Sequence, residues 1–72
     1  MQQSLAESVA AEVRAEMGRQ QASQSDVAAI VGLSQQAVSR RIAGRVPFDV
    51  TELEKIAAAF NVPVTRFLGS AA

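Results

Sequence analysis

Residues 34–41 read SQQAVSRR, a run with two adjacent glutamines, two serines, two arginines and no acid. Each of these side chains is a hydrogen-bonding device of a particular shape. A glutamine carboxamide sets a donor beside an acceptor and can pair bidentately with the edge of adenine. An arginine guanidinium forks onto guanine, and a serine hydroxyl serves either kind of edge. If the segment is a helix, Gln36, Ser39, Arg40 and Ala43 fall on one side of it, while Val38 and Ile42, one turn apart, fall on the other. Base-edge recognition is the chemistry such a helix could do, provided it stands proud of the body and enters a groove of duplex nucleic acid.

The charge distribution agrees with that chemistry although the total does not suggest it. Seven basic and seven acidic residues give a formal net charge of zero. Residues 1–16 hold Glu7, Glu12 and Glu16 against Arg14, whereas residues 27–48 hold Arg40, Arg41 and Arg45 and no acid. A local basic face therefore survives a neutral sum. The first turn of a helix starting near residue 35 would also attract phosphate through its free amides.

The elements that must position this face are legible from caps and periodicity. Ser4 with Glu7 reads as a capping box, and Leu5, Val9, Val13 and Met17 follow at four-residue spacing, which predicts a first helix over about 5–19. Glu7, Arg14 and Glu16 fall off that stripe. Ser23 with Asp26 repeats the box and Val27, Ala28, Ile30 and Val31 supply an apolar face, predicting a second helix over about 24–31. Gly32 can then take the left-handed conformation, and Ser34 can cap a third helix over about 35–43, with Leu33 turned toward the core. Two helices around a three-residue turn pack at a steep angle and leave the second one exposed.

Gly44 and the Arg45-Val46-Pro47 loop end the third helix. Asp49 with Glu52 forms another capping box, Phe48 and Leu53 form a hydrophobic staple, and Leu53, Ile56, Ala57 and Phe60 make the buried stripe of a fourth helix over about 50–60. Asn61 suits its stop. Pro63 opens a short fifth helix whose inward side is Val64, Phe67 and Leu68, and the Gly69-Ser70-Ala71-Ala72 tail is expected to fray. The chain thus reads as all-α, a compact bundle of about five short helices in one domain over residues 1–72, with the helix-turn-helix at 23–44.

At 72 residues, with three Phe and neither Cys nor His, the chain is limited to one small core without disulfides or a thiol nucleophile. No segment approaches the roughly 18 consecutive apolar residues of a membrane span, and no basic region followed by an apolar run opens the chain, so a cytoplasmic protein is expected. The helix carboxylate pairs Glu12/Glu16 and Glu52/Glu54 have no histidine, phosphate loop or nucleophile motif beside them. They read as solvated helix faces rather than acid–base or metal groups. No enzyme, cofactor, metal or small-molecule ligand is expected.

The stretch SQSDVAAIVGLSQQAVSRRIAG resembles the helix-turn-helix of Cro/C1-type (XRE-type) regulators, which include lambdoid phage repressors. The downstream LEKIAAAFNVPVTRFL is similar to that family's fourth and fifth helices, so the resemblance covers roughly residues 10–68. It implies a bundle of five helices that binds operator DNA, usually as a dimer, with the third helix in the major groove. By position it implies that Gln35, Gln36 and Arg40 read base edges, with Ser39 a weaker candidate. Gln24, Ser34, Arg41, Arg45 and Arg19 would meet the DNA backbone. Two positions depart from the family pattern: relatives often carry an apolar residue where Arg41 stands and an acid where Ile42 stands.

The expected function is therefore sequence-specific binding of operator-like double-stranded DNA by a phage-like or bacterial repressor, with pairing as a homodimer a further expectation. Leu5 and Val9 lie ahead of the five-helix match and offer a contact to a partner helix. The rival reading is a protein-interaction module that keeps the helix-turn-helix shape and binds, for example, a toxin or a second regulator.

Overall fold

In the computed structural model, which describes residues 4–69, each expected capping box closes at the residue pair the sequence marks. Ser4 Oγ accepts from the Glu7 amide at 3.1 Å while Glu7 Oε1 accepts from the Ser4 amide at 3.0 Å, opening α1 (Leu5–Gln20). Ser23 and Asp26 do the same for α2 (Gln24–Val31), and Asp49 and Glu52 for α4 (Val50–Phe60). Ser34 Oγ accepts from the Ala37 amide at 3.1 Å and starts α3 (Gln35–Ile42). Each such cap is worth about 1 kcal/mol, so the position at which each helix starts is marked by local residues.

The helix ends depend on backbone that turns left-handed. Gly32 has φ +75° directly after α2, and the Leu33 amide reaches back to the Ala28 carbonyl at 3.1 Å, which swings the chain into α3 within three residues. Gln21 (φ 54°) and Asn61 (φ 58°) end α1 and α4 in the same way without glycine. Asn61 meets the expectation for a stop. The first helix, expected over about 5–19, runs on to Gln20. The fifth element is a single 3₁₀ turn, Val64–Phe67, entered from Pro63. Ser70–Ala72 of the expected frayed tail lie outside the described residues.

The core gathers one stripe from every element. Val9, Val13 and Met17 of α1, Val27, Ala28 and Val31 of α2, and Val38 and Ile42 of α3 join Leu53, Ile56, Ala57 and Phe60 of α4, with Phe67 from the 3₁₀ turn. Phe48 is buried beside this cluster, as the staple with Leu53 requires. Helix α2 packs against both α3 and α4, while α1 packs against α3 and the 3₁₀ turn. The result is an all-α bundle in which α3 is held from behind by two helices. Leu5 departs from the expected stripe: it is 59% exposed, because the first turn of α1 projects past the core that Val9 closes.

Two carboxylates expected on solvated faces are buried instead. Glu16 is 2% exposed, and its oxygens accept from Arg19 at 2.8 Å, Gln20 at 3.0 Å and Arg66 at 3.2 Å. Gln20 also donates to the Phe60 carbonyl at 3.1 Å, so this one acid joins the end of α1 to α4 and to the 3₁₀ turn. The hydrogen bond from Gln20, with the Arg19 and Arg66 guanidinium groups adding to it, holds the Glu16 carboxyl below its usual range although burial pushes the other way. Glu52 is buried beside Arg41; Glu54, by contrast, is exposed as expected. Burial of these charges is possible because each has cationic and hydrogen-bonding partners in place.

Candidate nucleic-acid interface

The outward side of α3 is polar and unspent. Gln35, Gln36, Ser39 and Arg40 are all exposed, while Val38 and Ile42 behind them are buried. Within the described residues, none of those four polar side chains has a hydrogen-bond or ion-pair partner. Arg40 and Arg45 are likewise unpaired, and no acid lies between Asp26 and Asp49 in the chain. Two free guanidinium groups and two carboxamides thus stand on or beside one helix face, their hydrogen-bonding capacity facing solvent.

Helix α3 is positioned by contacts at both ends. At its start, Ser34 serves as cap, and the tight Gly32-Leu33-Ser34 turn fixes its angle to α2. At its end, Arg14 of α1 donates to the Ile42 carbonyl, one of the last acceptors that the helix itself leaves unsatisfied. Beyond it the chain reverses at Gly44, with φ +81°. A Cβ at this glycine would lie 3.2 Å from the Glu7 side chain, so both backbone angle and close approach to α1 call for glycine.

The remaining residues expected at a DNA backbone divide into two groups. Gln24, at the first turn of α2, and Ser34 and Arg45 are exposed on the elements that flank α3. Arg19 is exposed over about half its side chain (56%) but is ion-paired to Glu16. Arg41 lies elsewhere. Its Nε donates to Glu52 Oε1 at 2.9 Å, its Nη1 donates to the Ala37 carbonyl at 3.1 Å, and only 19% of the side chain is exposed. The expectation that Arg41 meets phosphate is revised accordingly: its guanidinium points toward the bundle and finds an acid there.

Sequence reasoning missed the contacts that Arg14 and Glu52 make with α3. Neither contact carries a local signal, because Arg14 meets its acceptor 28 residues away and Glu52, legible only as a cap residue, meets Arg41 across 11 residues.

The frame that holds this face is also what the comparison with protein families recognises: the model described as Helix-turn-helix matches residues 11–67. The chain belongs to the Cro/C1-type helix-turn-helix family. No curated protein and no solved structure matches it. As a helix-turn-helix family member the chain is a DNA-binding regulator, and α2 and α3 with the turn between them are its motif. No helix among its described residues is long and apolar enough to cross a membrane.

Proposed function

We propose that this chain is a sequence-specific transcriptional regulator of the phage-like or bacterial repressor kind, which inserts α3 into the major groove of an operator-like duplex. Gln35, Gln36 and Arg40 read base edges, and Ser39 lends a further contact. Gln24, Ser34 and Arg45, with Arg19 at the margin, hold the phosphate backbone, giving most of the affinity but none of the sequence preference. The observation that carries this reading is the exposed, unpartnered state of Gln35, Gln36, Ser39 and Arg40 on a helix anchored at both ends. Its place of action is the bacterial cytoplasm, or that of a phage-infected host. Selection of bound duplexes from a random pool tests it. A recovered consensus supports the reading, and a pool that never departs from random contradicts it.

The finer expectation, that two copies bind together, is supported by an apolar groove of about 360 Å³ whose lining includes Leu5, Val9, Phe48, Val50, Leu53 and Leu68. Among the described residues Leu5 and Val50 are the large apolar side chains that stand most exposed, and both border this groove. A knob beside a hole is what a two-fold interface needs, since each copy then offers its knob to the other's hole. A net charge of zero puts no electrostatic cost on self-association. Half-sites would then lie about one helical turn apart, near 34–36 Å. Sedimentation across a concentration series should show a dimer that Leu5→Glu dissociates; a monomer at every concentration would contradict the pairing.

A further inference from the structure

Helices α3 and α4 are separated by the Ala43–Asp49 connection, and their backbones pack chiefly against α2 rather than against each other. Across that gap lies a side-chain strut. Glu52 Oε1 accepts from Arg41 Nε at 2.9 Å and also from the Asp49 amide at 3.1 Å, so a single carboxylate oxygen closes the cap of α4 and holds a guanidinium of α3. Arg41 is itself braced along its own helix, through its bond to the Ala37 carbonyl. Glu52 is in turn braced, because its amide donates to Asp49 Oδ1 at 2.7 Å.

The geometry points to Arg41 and Glu52 as positioning residues that fix the rotation of α3 about its own axis and thereby set how sharply Gln36 and Arg40 discriminate bases. The inference rests on the DNA-reading function proposed above. A bidentate contact to a base edge tolerates little angular error, so a helix free to roll about its axis keeps its phosphate contacts more readily than its base contacts. Arg41 lies one residue beyond Arg40, about a quarter-turn round the helix, and its bonds run to Glu52 of α4 and to the Ala37 carbonyl of its own helix. A strut at that angle opposes rotation and adds to the core packing of Val38 and Ile42.

Two variants separate this role from phosphate binding by Arg41. Glu52→Gln keeps the capping box, which glutamine also forms, and removes the charge that holds Arg41. Arg41→Met keeps the length of the apolar stem and removes the guanidinium. Each is compared with the wild type on a selected duplex and on a scrambled one, at several salt concentrations. Amide exchange of α3 is followed in the free proteins, at temperatures where circular dichroism shows them folded.

The positioning role predicts that both variants lose the ratio of specific to scrambled binding, on the order of tenfold, with the salt slope of Arg41→Met unchanged. It also predicts faster exchange in α3 relative to α1 in the free variants. A slope reduced by about 0.9 in Arg41→Met, or Glu52→Gln binding every duplex more tightly because a cation is released, would overturn it in favour of a phosphate contact. Undiminished discrimination in both variants would overturn it too. A wild type that selects no sequence would overturn the functional reading and this inference with it, whereas a selective wild type beside equally selective variants overturns this inference alone.

Discussion

The Arg14 guanidinium of α1 donates to the carbonyl oxygen of Ile42, the last residue of α3, and so ties the end of α3 to the longest helix of the bundle. The contact satisfies a carbonyl that the helix leaves open and places a cation at the negative end of its dipole. Arg14→Ala should therefore destabilise the fold by about 1–2 kcal/mol, with Arg14→Lys recovering part of the loss. Urea unfolding would register the change as a lower midpoint at constant slope. An unchanged midpoint would remove Arg14 from the account of how α3 is held.

Gly44 and Gly32 both adopt positive φ, +81° and +75°, but only Gly44 meets a neighbour where a Cβ would stand. Alanine at either position bears the left-handed penalty of roughly 1–2 kcal/mol. At Gly44 the crowding against Glu7 adds to it, so Gly44→Ala should melt lower than Gly32→Ala. Equal melting points would mean that α1 yields at this contact without cost.

Glu16 gives the fold a pH dependence whose sign follows from its environment. Its folded-state pKa is depressed below the ordinary 4.5, first by the Gln20 hydrogen bond and then by Arg19 and Arg66. A depressed carboxyl contributes stability that is fully present above the unfolded-state value and is lost as pH falls through the folded one. Stability should therefore decline below about pH 4.5, and Glu16→Gln should flatten the decline while lowering the plateau at neutral pH. Unfolding curves between neutral pH and pH 3 compare the two, and parallel profiles would contradict the role given to this acid.

Arg45 and Arg40 should fail differently. Arg45→Ala, as the proposed phosphate ligand, should weaken binding to all duplexes alike and lower the salt slope by about 1. Arg40→Ala should cost about 1–3 kcal/mol on the selected duplex and relax preference at one base position. Anisotropy titrations against a set of single-base variants separate the two patterns. If both substitutions acted uniformly across the set, Arg40 would be a phosphate ligand and not a reader.

How far the sequence discloses all this follows from the range of each interaction. The helix starts were legible because a capping box is written within four residues, at Ser4–Glu7, Ser23–Asp26 and Asp49–Glu52. The polar side of α3 was legible because Val38 and Ile42 declare its buried side. The burial of Glu16 and Glu52 was not, since part of what surrounds each comes from elsewhere in the chain: Arg66 reaches Glu16 across 50 residues, beside the local Arg19 and Gln20, and Arg41 reaches Glu52 across 11. The inward turn of Arg41 escaped for the same reason. Leu5 fitted the apolar spacing yet lies beyond the edge of the core, which periodicity alone does not locate.

Duplex selection from a random pool, run side by side with the wild type and the Gln36→Ala/Arg40→Ala double variant, tests most directly whether the exposed face of α3 reads DNA. The account predicts a consensus for the wild type, and for the double variant salt-sensitive binding that returns no consensus. The same consensus from both proteins, or no duplex retained by the wild type even at low salt, would contradict it.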